Sequence, residues 1–303
     1  MVGKRLAERL ACALLLPRAG RTLYRKRTLV LAYHNIVPDG EPVVGDRSLH
    51  LPRADFARQL DALARTHDVV PLESILDGLP GSGRPRVVIT FDDAYRGALE
   101  VGVEELARRG MPATFFVAPA FVGGGSFWWD AVAASMPAGL TPQTRQYCID
   151  ELAGKDAAIR EWAVGSGIEP GPVPEHQTVA TEAHLARAAA IPGITFASHS
   201  WSHPNLARIA PDELRTELTA SLDWLRARFA PVVPWLSLPY GCGSNAVREA
   251  AAQAGYVGAL EITGGWLPAS ISPADRYALP RLNIPAGVSA EGFELRASGM
   301  IHR

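Results

Sequence analysis

Six short apolar runs constrain this chain more than any other feature of its sequence. Leu29–Tyr33, Val87–Phe91, Ala113–Val117, Ile194–Ala197, Pro234–Leu238 and Tyr256–Ile262 are rich in β-branched and aromatic residues and read as strands. Helical patterns lie between them. Ala54–Thr66 carries Phe56, Leu60 and Leu63 at helical spacing, and Pro211–Phe229 carries Leu214, Leu218, Leu222 and Leu225 likewise. Pro211-Asp-Glu places a proline and two acids in a first helical turn, where the helix dipole favours them. Strands alternating with helices predict a parallel sheet, open or closed, with helices outside it and functional groups at the strand C-terminal ends.

With 303 residues, 48% hydrophobic and 20% charged, the chain has enough apolar residues for a sizeable core. The α/β rhythm predicts one domain over 28–303, broken by an insertion or lid at about 121–182. That stretch holds Gly123-Gly-Gly125, Phe127-Trp-Trp129 and the proline-rich Glu169–Pro174 around a polar helical middle.

Charge is uneven. The formal net charge is −1, but residues 1–27 hold eight Lys or Arg against the single acid Glu8, so this basic N-terminal leader is +7 and the rest −8. Beside the apolar run Leu10–Leu16, such a segment suits peripheral contact with an anionic membrane surface, although a solvated basic helix reads the same way. The run is too short to span a bilayer and lacks a small-x-small cleavage site. Cys12, Cys148 and Cys242 are odd in number and form no C-x-x-C pair, which speaks against a disulfide framework or a thiolate zinc site. A reducing, cytoplasmic location with peripheral membrane contact fits these features better than a secreted or periplasmic one. No basic stripe exists outside the leader, so nucleic acid is not an expected partner. Oligomeric state has no signature in these patterns.

Two strand ends carry candidate chemistry. Val87–Phe91 runs into Asp92-Asp93, adjacent carboxylates of which one can bind a metal while the other faces a reacting water; the same pair could instead cap a helix beginning at Ala94. Ile194–Ala197 ends in Ser198-His199-Ser-Trp-Ser-His203-Pro, and on a helical turn this four-residue spacing would bring both imidazoles to one side. One carboxylate and two histidines leave a divalent ion open positions for water and substrate, the pattern of a catalytic site, with zinc as the first candidate.

These residues resemble those of the polysaccharide deacetylases of carbohydrate esterase family four. Thr90-Phe-Asp-Asp-Ala-Tyr95 is similar to the family's first motif, His199-Ser-x-x-His203 to its second, and Leu238-Pro-Tyr-Gly241 to part of its third, in order over roughly Leu29 to Ile284. The resemblance implies a distorted (β/α) barrel of seven parallel strands with a helical insertion. It also implies Asp92 as catalytic base and Asp93, His199 and His203 as metal ligands. Two departures stand out. Ser237 occupies the place where the third motif often begins with arginine, and a late leucine-x-histidine motif is missing, since His302 is the penultimate residue.

Tyr33-His34-Asn35, closing the first strand, looks like the permuted branch that acts on poly-N-acetylglucosamine, in which a histidine near the N-terminus serves as acid; this makes His34 the candidate acid. Arg281, in the late strand-like run Ala278–Ile284, is the candidate to replace the missing arginine beside Asp92. The implied activity is hydrolysis of the N-acetyl amide of an amino-sugar glycan, whether polysaccharide, oligosaccharide or lipid-linked sugar. Asp92 activates the water, the metal and the Tyr240 amide stabilise the oxyanion, and His34 protonates the leaving amine. Tyr95, Trp128, Trp129, Trp201, Pro239, Tyr240 and Trp266 could face sugar rings, though aromatics at such positions also serve cores. His50, His67, His176 and His184 are read as structural or solvated. Two competing readings remain: a metal-independent amide hydrolase of the same superfamily, and an inactive glycan-binding relative.

Overall fold

The structure is a computed structural model that describes residues 2–76, 82–136, 139–268 and 270–301. His302 lies outside them. The chain opens with α1 (Val2–Ala13) and α2 (Leu16–Leu23). The barrel then follows as β1 (Thr28–Tyr33), α3 (Arg53–Thr66), β2 (Arg86–Phe91), α4 (Val103–Ala107) and β3 (Ala113–Val117). Between β3 and the next strand come α5 (Trp128–Ala134), α6 (Pro142–Asp150), α7 (Asp156–Gly165) and α8 (Glu182–Ala189). The second half comprises β4 (Ile194–Ser198), α9 (Pro211–Arg228), β5 (Val232–Ser237), α10 (Asn245–Gln253), β6 (Gly258–Glu261), β7 (Leu279–Pro280), β8 (Leu282–Asn283) and α11 (Ala290–Ala297).

Strand order is β7-β6-β5-β4-β3-β2-β1-β8, all parallel, with the two-residue strand Asp68–Val69 beside β2. Eight strands lie along this path where seven were expected. The difference comes from the last one: β7 pairs with β6 and β8 with β1, so Leu279–Asn283 is one extended run interrupted at Arg281. That run closes the ring. Lower on β1, Leu29 bridges Trp266 antiparallel, completing the seam.

The strands read as continuous apolar runs because both of their faces are covered. Val30, Val88, Phe116, Ala197, Trp235, Leu260 and Leu279, drawn from successive strands around the ring, meet in one cluster and fill its interior. The alternate residues, among them Leu31, Ile89, Phe91, Phe115 and Phe196, pack outward on helical residues such as Phe56, Leu60 and Leu63. This alternation follows from the two-residue period of a strand.

The insertion is a helical layer over the strand ends. Ala153 O accepts from the Asn205 amide, and Gly154 O accepts from the Tyr240 hydroxyl, tying α6–α7 to the loops after β4 and β5. Residues 2–27 do not trail free: α1 and α2 pack on α11, with Ser289 Oγ donating to Glu8 Oε2 at 2.6 Å.

Candidate active site

His34 follows β1, Asp92 and Asp93 follow β2, His199 follows β4 and Tyr240 follows β5, so the predicted cluster at strand C-terminal ends forms. All five line one narrow cavity of about 60 Å³, with Trp129, Arg145, Leu238 and Ile262 in its wall. At roughly 30 Å³ per water, that volume holds about two waters, room for a group of acetyl size. Adjoining grooves of about 930 and 660 Å³, which share Ile262 and Arg145 respectively with this cavity, carry no such donor set.

The Asp92-Asp93 pair does not cap a helix. Asp93 and Ala94 take positive φ, 69° and 49°, and turn the chain sharply so that both carboxylates face the cavity. Left-handed backbone at two successive non-glycine residues is costly and marks a functional turn.

The two histidines also meet by a route other than the predicted helical turn. His199–His203 is irregular, with Ser200 and His203 at φ 61° and 58°. Glu217, buried on α9, accepts from the amides of Trp201 and Ser202, both at 2.8 Å, and from the Ser202 hydroxyl at 2.5 Å. Ser200 Oγ accepts from the His203 amide at 3.1 Å. Side chains thus satisfy the backbone groups that a helix would have paired. Glu217 has no sequence signal beyond its place on an amphipathic helix.

The result is a converging donor set. His199 Nε2 and His203 Nε2 are 3.1 Å apart and each lies 3.5 Å from Asp93 Oδ1, which is buried without a hydrogen-bond partner. The Ser237 carbonyl, 2.8 Å from His199 Nδ1, fixes the tautomer with Nδ1 protonated and leaves the Nε2 lone pair facing Asp93. Burial, with the neighbouring His199, pushes His203 down to about 3, which keeps it neutral. Burial also opposes charge on His199, but Asp92 and Asp93 outweigh it and hold that imidazole above its ordinary value. A borderline cation requires unprotonated nitrogen donors and a free carboxylate oxygen; His203 and Asp93 Oδ1 offer these directly, and a cation at His199 Nε2 would take the place of the proton that the two carboxylates favour there. Asp93, His199 and His203 therefore form a cluster able to hold a metal ion.

Asp92 is held differently. Burial would raise its carboxyl, but Arg281 overcomes this and keeps it well below the usual carboxylate range. The guanidinium is completely buried and donates Nη1 to Oδ1 and Nη2 to Oδ2, both at 2.7 Å. It also donates to Thr90 Oγ1 at 3.1 Å and Ser237 Oγ at 2.7 Å. The serine at the motif's arginine position thus accepts from an arginine on the closing strand. His34 faces the same cavity, its pKa lowered by burial against the pull of Asp93 and Asp92.

The proposed sugar-facing residues divide. Tyr240, at φ 58°, borders the cavity, with its hydroxyl accepting from Trp128 Nε1 and donating to Gly154 O. A Cβ on Gly154, itself at φ 64°, would sit 2.4 Å from the Tyr240 ring, so only glycine fits this approach. Trp129 also borders the cavity and donates Nε1 to Tyr95 Oη at 2.9 Å. Tyr95 itself is a correction: it is fully buried and donates to Asp130 at 2.7 Å, so it supports Trp129 from behind. Trp266 packs on Tyr24 in a tilted ring pair near the opposite end of β1, Pro239 is buried, and Trp201 borders no part of the cavity. His50, His67, His176 and His184 all have hydrogen-bond partners. His50, for instance, lies 3.0 Å from Asp130.

The sequence model of the family described as polysaccharide deacetylase matches residues 81–259, more than half of the chain. The chain belongs to the polysaccharide deacetylase family. It is thus a hydrolase of the glycan amide class, built on the family's α/β barrel. The family match ends before Arg281. A comparison with curated proteins finds no match. Among solved structures, the deacetylase resembles Streptococcus pyogenes deacetylase PplD, determined in complex with acetate, at TM-score 0.60 and 18% identity over 89% of this chain and 97% of that one. It also resembles IcaB from Ammonifex degensii (TM-score 0.57, 15% identity, 91% and 97% covered). The BpsB deacetylase domain from Bordetella bronchiseptica gives 0.56, 15%, 86% and 97%. At these identities the likeness speaks for the fold.

Proposed function

We propose that this deacetylase removes N-acetyl groups from an amino-sugar glycan of the poly-N-acetylglucosamine type in a divalent-metal-dependent reaction, with zinc as the first candidate. One observation carries the reading: a buried base carboxylate gripped at both oxygens by Arg281 stands next to a second carboxylate whose free oxygen faces two imidazole nitrogens. A divalent cation held by Asp93, His199 and His203 would polarise the acetyl carbonyl and make a water acidic near neutral pH.

The chain's own residues supply the rest. Asp92, kept ionised, takes the proton from the attacking water. His34, across the same cavity, is placed to give the leaving amine nitrogen the proton of its imidazolium form; because burial lowers its pKa, it must take that proton up with the substrate in place, and once protonated it is a stronger acid than an ordinary imidazolium. The Tyr240 amide is the candidate donor to the oxyanion. Trp129 and Tyr240 offer the walls against which a sugar ring can pack, and Arg145 borders both this cavity and the adjoining 660 Å³ groove, a path for further sugars.

The test is metal analysis of the purified protein combined with acetate release from a panel of N-acetylated glucosamine oligomers and polymers. Chelation should abolish release and zinc or a similar ion should restore it. Undiminished release from metal-free protein would favour the metal-independent alternative, and no release from any acetylated glycan would favour an inactive glycan binder.

A further inference from the structure

Six of the ten exposed large hydrophobic side chains among the described residues belong to one short stretch, the α1–α2 pair. Leu6, Leu10, Leu14, Leu15 and Leu23 are 56–74% exposed, and Leu16 is 39% exposed. Leu6 and Leu10 on α1 and Leu14 just past its end follow one another at four-residue spacing and form a stripe, which Leu15, at φ 59°, continues in the turn before α2. A stripe of this kind on a water-soluble surface marks an interaction site.

The charges around it name the partner. Lys4, Arg5, Arg9, Arg18, Arg21, Arg25, Lys26 and Arg27 lie among the leucines in sequence; Glu8, the one acid of the segment, is buried and turned inward to Ser289, and of the neighbouring α11 acids Glu291 pairs with Arg9 at 3.5 Å and Glu294 acts on Arg21, which leaves the other six cations for an outside partner. Beyond Leu23 the chain passes the 930 Å³ groove, lined by Tyr24, Arg27, Trp266 and the buried Arg296 and by no carboxylate. Trp266 Nε1 is a buried donor there without an acceptor. An apolar stripe fringed by cations matches an anionic lipid surface, with leucines below the headgroups and arginines among the phosphates. A protein partner of mixed charge would leave most of these cations unmatched.

We propose that α1 and α2 form an interfacial anchor that seats the deacetylase on an anionic lipid membrane. No helix among the described residues is long and apolar enough to cross one. The anchor leads into β1 at its N-terminal end, and the reactive cavity opens after its C-terminal end. Six residues at roughly 3.3 Å each separate the two by about 20 Å. The catalytic mouth would therefore stand clear of the lipid contact, where it can reach a glycan lying beyond the membrane surface.

The experiment is co-sedimentation of the full chain with phosphatidylcholine vesicles, with and without one third phosphatidylglycerol. Full-length protein should bind the mixed vesicles and leave the neutral ones largely unbound. Raising salt from about 0.1 M to about 1 M, which shortens the Debye length from roughly 10 Å to roughly 3 Å, should weaken binding. The triple variant Leu6→Ser, Leu10→Ser, Leu14→Ser changes only exposed side chains; it should keep its circular dichroism and acetate release but bind the mixed vesicles about tenfold more weakly or less. Absence of binding by the unaltered protein, or equal binding by the triple variant, would overturn the proposal. So would self-association that the triple variant abolishes in a protein that ignores vesicles, since a second copy would then cover the leucines.

Discussion

Arg281→Met is the most searching perturbation of this site, because it removes the two 2.7 Å charge-assisted bonds that hold Asp92 while keeping a side chain of similar length. Deleting one partner of a buried ion pair costs about 3–5 kcal/mol, much of it from stranding the other charge. For Asp92 that stranding is a rise in pKa. Burial already pushes the carboxyl up, and Arg281 is the largest influence pulling it down. At about 1.4 kcal/mol per pH unit, the loss of 3 kcal/mol moves the carboxyl up by about two units. A base works only when ionised, so the acidic limb of the pH–rate profile should shift to higher pH by a similar amount. The plateau should fall by about 10²-fold or more, since a general base is worth 10²–10⁴ and the fork that aims it is gone.

Stability follows the same linkage. A carboxyl with a depressed folded-state pKa contributes stability that is present above its unfolded pKa and lost as pH falls through the folded value. The unaltered protein and Arg281→Met should therefore differ most near neutral pH and converge in acid. Arg281→Lys separates charge from geometry: it should leave the acidic limb near its original place but still lower the plateau, because an ammonium lacks the planar fork. The assay is acetate release against pH, with metal content and thermal melting measured in parallel. An Arg281→Met protein that is folded and metal-loaded, with unaltered kcat and an unmoved acidic limb, would refute the pairing as the source of Asp92's basicity.

The two adjacent carboxylates should separate under mutation: Asp92→Asn should retain metal and lose acetate release, whereas Asp93→Asn should lose both, as metal analysis of each variant would show. Glu217→Gln removes the charge that gathers the Trp201 and Ser202 amides, and should weaken metal affinity about 10–100-fold, as supporting residues of metal sites do; unchanged affinity in a metal titration would show that two serines, Ser198 Oγ accepting from the Ser200 amide and Ser200 Oγ from the His203 amide, suffice to shape the turn. Tyr95→Phe should cost about 1–2 kcal/mol in thermal unfolding through its lost bond to Asp130 while leaving kcat within a fewfold, and a large fall in kcat would put Tyr95 closer to the substrate than its burial suggests.

The barrel was legible in the sequence because each strand is an unbroken apolar run, and a parallel sheet covered on both faces leaves no other place for six such runs. The strand limits moved by a residue or two, and the closing run was legible as one strand-like stretch, Ala278–Ile284, whereas its division into two short strands on either side of Arg281 was not. The chemistry-bearing residues were legible as types at strand ends. Their local geometry was not: the i, i+4 histidines suggested a helical turn, but positive φ at Ser200 and His203 and the Glu217 carboxylate bring them together instead. Aromatic residues misled most, because a Tyr in a motif and a Tyr in a core look alike until the hydroxyl's partner is seen. Tyr95 spends its hydroxyl on Asp130 and Trp129.

Arg281 shows why closure of the ring was the informative inference. It lies 189 positions after Asp92, and the family match ends before it, so neither local pattern nor motif joins the two. What joins them is topology. Once the strands close into a barrel, the last run must lie between β6 and β1, and its inward-pointing residues must share the interior with those of β2 and β5. Arg281 sits in that run with its guanidinium over the Phe116 ring, a bonding fork that reaches Thr90 on β2, Asp92 just beyond it, and Ser237 on β5. A buried arginine is tolerable only with its charge matched and its donors used, and here a single carboxylate and two hydroxyls meet most of that demand. Ser237 is therefore compatible with a working site: a long side chain there would collide with the arginine arriving from the closing strand, and a small hydroxyl accepts from it instead. The double variant Ser237→Arg, Arg281→Ser tests this exchange. If the motif position and the closing strand can trade the arginine, the double variant should recover part of the kcat that Arg281→Ser alone loses, and recovery confined to the double variant would locate the requirement in the Asp92 pairing rather than in either strand.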